Sequence, residues 1–186
     1  SVTPAGFYNE APPPPGVLRI LIISPFHPNI GGMETVFRLL AREWERVGHQ
    51  VRVLHPVGVR FDAEFNEAPD TPVYYSPPSR LTLALHGWCD VVIHGSLNAR
   101  YLFALMLTGK PCVVTQHGSV TPTGLGPLTS LQLVKRWFSR RFPNITCSEF
   151  VARDLGVVPL ATGNPYQDEV FHLDDSVARD RDLIFV

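Results

Sequence analysis

Short, continuous apolar runs alternate along this chain with amphipathic stretches, and the first such pair is the most informative. Leu18, Ile20, Leu21, Ile22 and Ile23 form a run typical of a strand buried on both faces of a parallel sheet. A polar loop follows from Ser24 to Gly32. From Met33 the apolar positions Met33, Val36, Phe37, Leu40, Trp44 and Val47 recur at helical spacing, and Gly48 stands where a C-cap glycine belongs. Val51, Val53 and Leu54 then open a second strand.

The unit repeats. Val57 to Pro78 is rich in Pro, Asp and Glu and predicts an exposed excursion holding one short strand at Val73-Tyr74-Tyr75. A short helix over Leu81 to His86 and a buried strand over Asp90 to His94 come next. Leu97 to Leu107 is apolar almost all round, which predicts a helix buried between sheet and neighbours and closed by Gly109. Pro111 to Thr115 is a strand, Leu128 to Phe142 returns to helical spacing, and Asn144 to Cys147 is a short strand. Ser148 reads as the N-cap of a helix through Asp154, and Val157 to Leu160 as the last strand. Strands alternating with helices imply right-handed parallel crossovers, hence an α/β, Rossmann-like doubly wound parallel sheet. Ligands of such sheets sit beyond the carboxyl ends of the strands.

Composition alters this picture little. The chain's 186 residues, 45% of them hydrophobic, can bury one sizeable core. Sixteen Lys and Arg against seventeen Asp and Glu leave a net charge of −1, so nothing global points to nucleic acid. Cys89, Cys112 and Cys147 each lie beside an apolar run rather than in a paired motif, which predicts core thiols, a reducing compartment and a cytoplasmic location. No run is long and apolar enough to span a bilayer, and no signal segment is recognisable. Residues 1–16, with Pro12 to Pro15, are expected to form a disordered Pro-rich arm or a cloning scar, and 17–162 the Rossmann-like domain. Residues 163–181 read as an interdomain linker, and Leu183-Ile184-Phe185-Val186, within 182–186, as the first strand of a further domain.

The predicted carboxyl-end loops hold the candidate chemistry. The first carries His27 with Gly31 and Gly32, the next His94, Ser96 and Asn98, and the next His117, Gly118 and Ser119. Gly31 and Gly32 have no side chains, so an anion can approach the unpaired N–H groups and positive dipole of the helix that follows, although an ordinary tight turn would look the same. Glu34 favours that first turn through the dipole. His117, between a buried strand and a Gly-Ser loop, suits a cleft role because a neutral imidazole both donates and accepts; the alternative is a satisfied structural histidine. His49, His55, His86 and His172 are expected at the surface. Zinc at His27, His94 and His117 lacks any paired ligand spacing. The helix from Leu131 to Phe142 turns Leu131, Val134, Phe138 and Phe142 to the sheet, leaving Leu133 and Trp137 among Lys135, Arg136, Arg140 and Arg141. This is the composition of a membrane-interface helix, or of a core-packed helix with a solvated basic face.

Four segments in order resemble the N-terminal domain of a retaining glycosyltransferase of family four, with its two-Rossmann-domain GT-B architecture. ILIISPFHPNIGGME (20–34) is similar to the opening strand and Gly-Gly-x-Glu loop. KPCVVTQHG (110–118) is similar to the Gly-Lys-Pro-apolar-Thr-x-His-Gly segment, ITCSEFVARDL (145–155) to the Val-Ser-Glu helix start, and GNPYQDEVF (163–171) to the Pro-Asn-Gly-Val-Asp linker. Gly163 stands where the family usually has Pro, and Pro165 where it often has Gly. The resemblance implies transfer of a hexosyl group from a nucleotide-sugar to a sugar or lipid-linked acceptor with retention of configuration, without nucleic acid as partner and in cell-envelope or polysaccharide synthesis. The cysteine usage places the protein in the cytoplasm, and the basic face of the Leu131 to Phe142 helix offers peripheral contact at the inner face of the membrane through Lys135, Arg136, Arg140 and Arg141. The resemblance also implies that a C-terminal domain holds most of the donor, that Gly31 and Gly32 meet its phosphates, and that His117 is catalytic. His27, His94, Ser96, Asn98, Gly118 and Ser119 are the acceptor or cleft candidates. No cofactor or metal is implied, since dipoles and cations can stabilise a leaving diphosphate. Other readings are a GT-B sugar-nucleotide epimerase and a non-catalytic anion- or sugar-binding α/β module.

Overall fold

The computed structural model describes residues 10–26, 31–56, 70–95, 99–118 and 130–165. Along the chain run β1 (Arg19–Ile23), α1 (Gly32–Arg46), β2 (Gln50–His55), β3 (Val73–Tyr75), α2 (Ser79–Trp88), β4 (Val91–Gly95), α3 (Ala99–Thr108), β5 (Cys112–Gln116), α4 (Ser130–Ser139), β6 (Asn144–Thr146), α5 (Glu149–Leu155) and β7 (Ala161–Thr162). The strands form one parallel seven-stranded sheet in the order β3-β2-β1-β4-β5-β6-β7. The chain therefore winds one way from β1, crosses back, and winds the other way from β4. That reversal lies between β1 and β4, which pair from Ile20↔Val91 to Ile23↔His94.

Period-two alternation sends the strand side chains to two cores. On one face Leu21, Ile23, Leu54, Val92 and Val114 pack with Leu85 and Trp88 of α2, Tyr101 and Leu105 of α3, and Phe138 of α4. On the other, Ile20, Ile22, Val51, Val53 and Ile93 pack with Phe37 and Ala41 of α1, flanked by Met33, Leu40 and Trp44. Three helix ends carry the caps the sequence predicts, while the helix expected to run to Phe142 ends at Ser139. Gly48 and Gly109 adopt positive φ just beyond α1 and α3. Ser148 Oγ accepts from the Val151 N–H at 3.3 Å, and Gly156 ends α5 in the left-handed region.

Several expectations are corrected. Val157 to Leu160 is no strand: the last strand is Ala161–Thr162, and Val158 and Leu160 are exposed. The segment around α3 is not buried all round, because Phe103, Met106 and Leu107 lie on its outer side. Val47 and Val134 are also exposed, the former because it caps α1 beyond the last inward turn. His55 and His86 are buried rather than superficial. His55 ends a strand covered on both faces, and His86 sits on the inward side of α2, its Nδ1 2.8 Å from the Thr82 carbonyl, to which that N–H donates.

Of the Pro-rich arm, residues 10–16 are described, and Glu10 is tied to the fold. Its carboxylate accepts from Trp88 Nε1 at 2.8 Å and from Arg52 Nη2 at 2.5 Å, while the Arg52 guanidinium lies 4.1 Å from the Trp88 ring centroid. Residues 166–186, with most of the expected linker and all of the expected further strand, lie outside the described residues.

Candidate active site

The carboxyl ends of β1 and β4 meet where the strand order reverses, the position at which doubly wound sheets open a crevice. Gly95, the last residue of β4, is packed too closely there for any side chain. A Cβ on it would stand 2.6 Å from Ser24 Oγ and 2.7 Å from Phe37 Cε2. Ser24, directly after β1, is fully buried, and its hydroxyl has no hydrogen-bond partner among the described residues. Phe37 meets His117 edge-on, with ring centroids 5.7 Å apart and planes at 64°. The rim of the sheet is thus joined to α1 through one aromatic ring.

His117 is the first residue beyond β5 and is half-buried. The turn that carries it is fixed from behind: Gln116 Nε2 donates to Ser139 Oγ at 3.0 Å, and Asn144 Nδ2 donates to the Ser139 carbonyl at 2.7 Å. Burial holds the His117 imidazole below its ordinary range, while the Glu34 carboxylate pulls the other way. The ring is therefore neutral at pH 7, with one nitrogen donating and one accepting. Its Nε2 is buried and unpartnered among the described residues.

Facing it is the start of α1. Gly31 is the N-cap in an extended conformation open to any residue, and its carbonyl accepts the first helical bond from Thr35 N–H at 3.0 Å. The Glu34 carboxylate folds back beside Gly31, where a Cβ would lie 2.5 Å from Oε2. Gly32 is exposed, and nothing lies within 4 Å of the place a Cβ would take. The reason for glycine here is space beside the helix end rather than backbone angle, because neither residue has positive φ. The first-turn N–H groups lack intrahelical acceptors, and the dipole favours an anion at that place.

Of the residues expected at this rim, Gly31, Gly32 and His117 are brought to one edge, and Gly118 follows His117 as an exposed residue. His94 is a correction. Alternation along β4 turns its side chain to the core face shared with Val92 and Val114, where it is 0% exposed, so it belongs to the interior and not the cleft. His94 and His117 leave the sheet on opposite faces and cannot share a ligand. His27, Ser96, Asn98 and Ser119 lie outside the described residues, as does the side chain of Lys135. No three His, Cys, Asp or Glu side chains gather to hold a metal among the described residues. Sequence reasoning missed Ser24, Phe37 and Gly95 as parts of the site; a glycine ending a buried strand was the available signal for close approach.

The sequence profile of Glycosyltransferase Family 4 matches residues 30–159, well over half of the chain. The chain belongs to that family. As a family 4 domain it has the fold of the N-terminal half of a GT-B glycosyltransferase. Its fold is similar to that of Anabaena HepE, solved in complex with UDP-glucose, at a TM-score of 0.62 and 16% identity over 86% of this chain and 47% of that one. An alpha-glucosyltransferase solved with UDP and mismatched DNA also matches, at a TM-score of 0.51 and 16% identity over 76% of this chain and 40% of that one. The family 4 domain thus spans about half the length of the HepE chain. No curated protein matches this sequence.

Proposed function

We propose that this chain is the acceptor-side wall of a retaining glycosyltransferase that moves a hexosyl group from a nucleotide-sugar to a sugar or lipid-linked acceptor in the cytoplasm. One observation carries the reading: in a chain of this family, the open start of α1 and the neutral His117 face one another across the Phe37 ring at the switch point of the sheet. The exposed helix end at Gly31 and Gly32 takes a donor phosphate oxygen. His117 lies where the sugar and the incoming hydroxyl meet, and its neutral ring can hold that hydroxyl by accepting its proton in a hydrogen bond. The rest of the diphosphate charge is met by cationic side chains of an opposing domain, without a metal. UDP-sugars are the first donors to try, since HepE and the alpha-glucosyltransferase were solved with UDP or UDP-glucose.

The test is transfer from labelled UDP-glucose and other nucleotide-sugars by a protein that joins this chain to a donor-binding domain. His117→Ala is expected to lower turnover by on the order of 10² while leaving the melting temperature nearly unchanged. A large loss of stability with normal turnover per folded molecule would make His117 structural and overturn its placement.

A further inference from the structure

The outer side of the helical layer over β4 to β6 is built unlike the rest of the molecule. On α3, Tyr101, Ala104 and Leu105 are buried, while Phe103, Met106 and Leu107, on the opposite side at helical spacing, are 38%, 71% and 71% exposed. On α4, Phe138 packs into the same core as Tyr101 and Leu105, so both helices cover one face of the sheet. Leu133, Val134 and Trp137 of α4 are each about half exposed. The Arg141 guanidinium lies 3.9 Å from the Trp137 ring centroid, which holds a cation directly on the exposed indole.

Charge sets the same region apart. From Val91 to Ser148 the sequence has no Asp or Glu, yet it carries Arg100, Lys110, Lys135, Arg136, Arg140 and Arg141. The rest of the chain holds the other ten basic residues against all seventeen acidic ones. A nearly neutral protein thus carries a net +6 (six basic, no acidic residues) over the segment with the most exposed apolar side chains and a net −7 (ten basic, seventeen acidic) over the rest. Protein-binding patches deplete charge at their apolar centre, and a second copy of this face would set cations against cations. Apolar side chains interleaved with cations and with no acid among them match an anionic lipid surface, where the apolar groups enter the headgroup boundary and the cations meet phosphate. None of the described helices is long and apolar enough to cross a membrane, so such contact is peripheral.

We infer that α3 and α4 together form a docking face for an anionic bilayer. This stands independently of the transfer reading, because binding to lipid needs neither donor nor acceptor.

The experiment is co-sedimentation of the 186-residue chain with vesicles of phosphatidylcholine alone and with vesicles about one-third phosphatidylserine. Binding to the anionic vesicles is expected to be at least about tenfold stronger and to fade as salt is raised. Arg141→Glu, which reverses the cation that lies on the exposed Trp137 ring, should weaken it by roughly thirtyfold. Met106→Ser with Leu107→Ser should weaken it about tenfold at unchanged net charge, and brominated lipid should quench Trp137 fluorescence but leave Trp137→Phe unaffected. All substituted positions are exposed, so thermal melts should stay near wild type and separate lost binding from lost folding. Absence of binding to anionic vesicles at low salt would overturn the inference. So would binding indifferent to the Met106 and Leu107 changes, or a concentration-dependent dimer that those changes abolish.

Discussion

Acid should unfold this protein through His94, and the size of the effect follows from where the ring sits. His94 is fully buried in β4 between its partners Ile23 and Val114, and neither ring nitrogen has a hydrogen-bond partner among the described residues. Burial, with a smaller contribution from His86, pushes its pKa down from 6.5 to about 4. Above pH 6.5 the ring is neutral whether the chain is folded or not, and it costs nothing. As pH falls from 6.5 towards 4, the unfolded chain takes up a proton that the folded chain refuses, so stability drops; below about 4 the folded ring titrates too and this loss levels off. Over that interval the loss is about 3 kcal/mol, or roughly 6 to 12 °C in Tm for a domain of this size. His86, lowered by burial despite its bond to Thr82, adds to the slope with the same sign. Urea unfolding followed by circular dichroism from pH 8 to 4 measures the total. His94→Leu isolates the part due to this ring, because the variant keeps every other titrating group. The variant should lose about 3 kcal/mol less than wild type between pH 7 and 4. Equal slopes in the two proteins, or an NMR titration of His94 near 6.5, would refute the reasoning.

Two further outcomes bear on the site. Gly32→Val, placed where the protein itself leaves open space, should leave stability within about 1 kcal/mol while weakening donor use in steady-state kinetics of a two-domain enzyme; unchanged kinetics would remove this loop from the donor site. Gly95→Ala must push against Ser24 Oγ and the Phe37 ring, so it should cost about 1–3 kcal/mol in urea unfolding, and Ser24→Gly in the same chain should recover part of that cost.

The order of elements was legible in the sequence because buried parallel strands and capped helices leave strong local marks. The run through Ile20 to Ile23, the stripe from Met33 to Trp44, and glycines at 48 and 109 whose positive φ most side chains avoid were enough to set the winding. What failed was whatever depends on neighbours. His55 and His86 carry polar side chains, and only the packing of both sheet faces shows that they are enclosed. An almost wholly apolar helix such as α3 has no polar stripe to say which side faces out. β7 has no burial pattern of its own, since Ala161 and Thr162 are exposed, so its bounds could not be read from apolar periodicity. At the candidate site, Gly31, Gly32 and His117 were visible as exposed loop chemistry. The Ser24, Phe37 and Gly95 contact that joins them was not, because it depends on the reversal of strand order.

That reversal has a consequence for the nascent chain. During synthesis β1 emerges first and finds β2 soon after, but its other edge must wait for β4. The wait spans the 71 residues that separate Arg19 from Asp90, whose carboxylate accepts the Arg19 N–H at 2.8 Å. Until then the strand that will lie at the middle of the sheet is an apolar edge strand, open to any other chain on the ribosome. The same strand precedes residue 30, where the family match begins. A fragment cut to the boundaries of that match would leave β2 and β4 without the strand that lies between them.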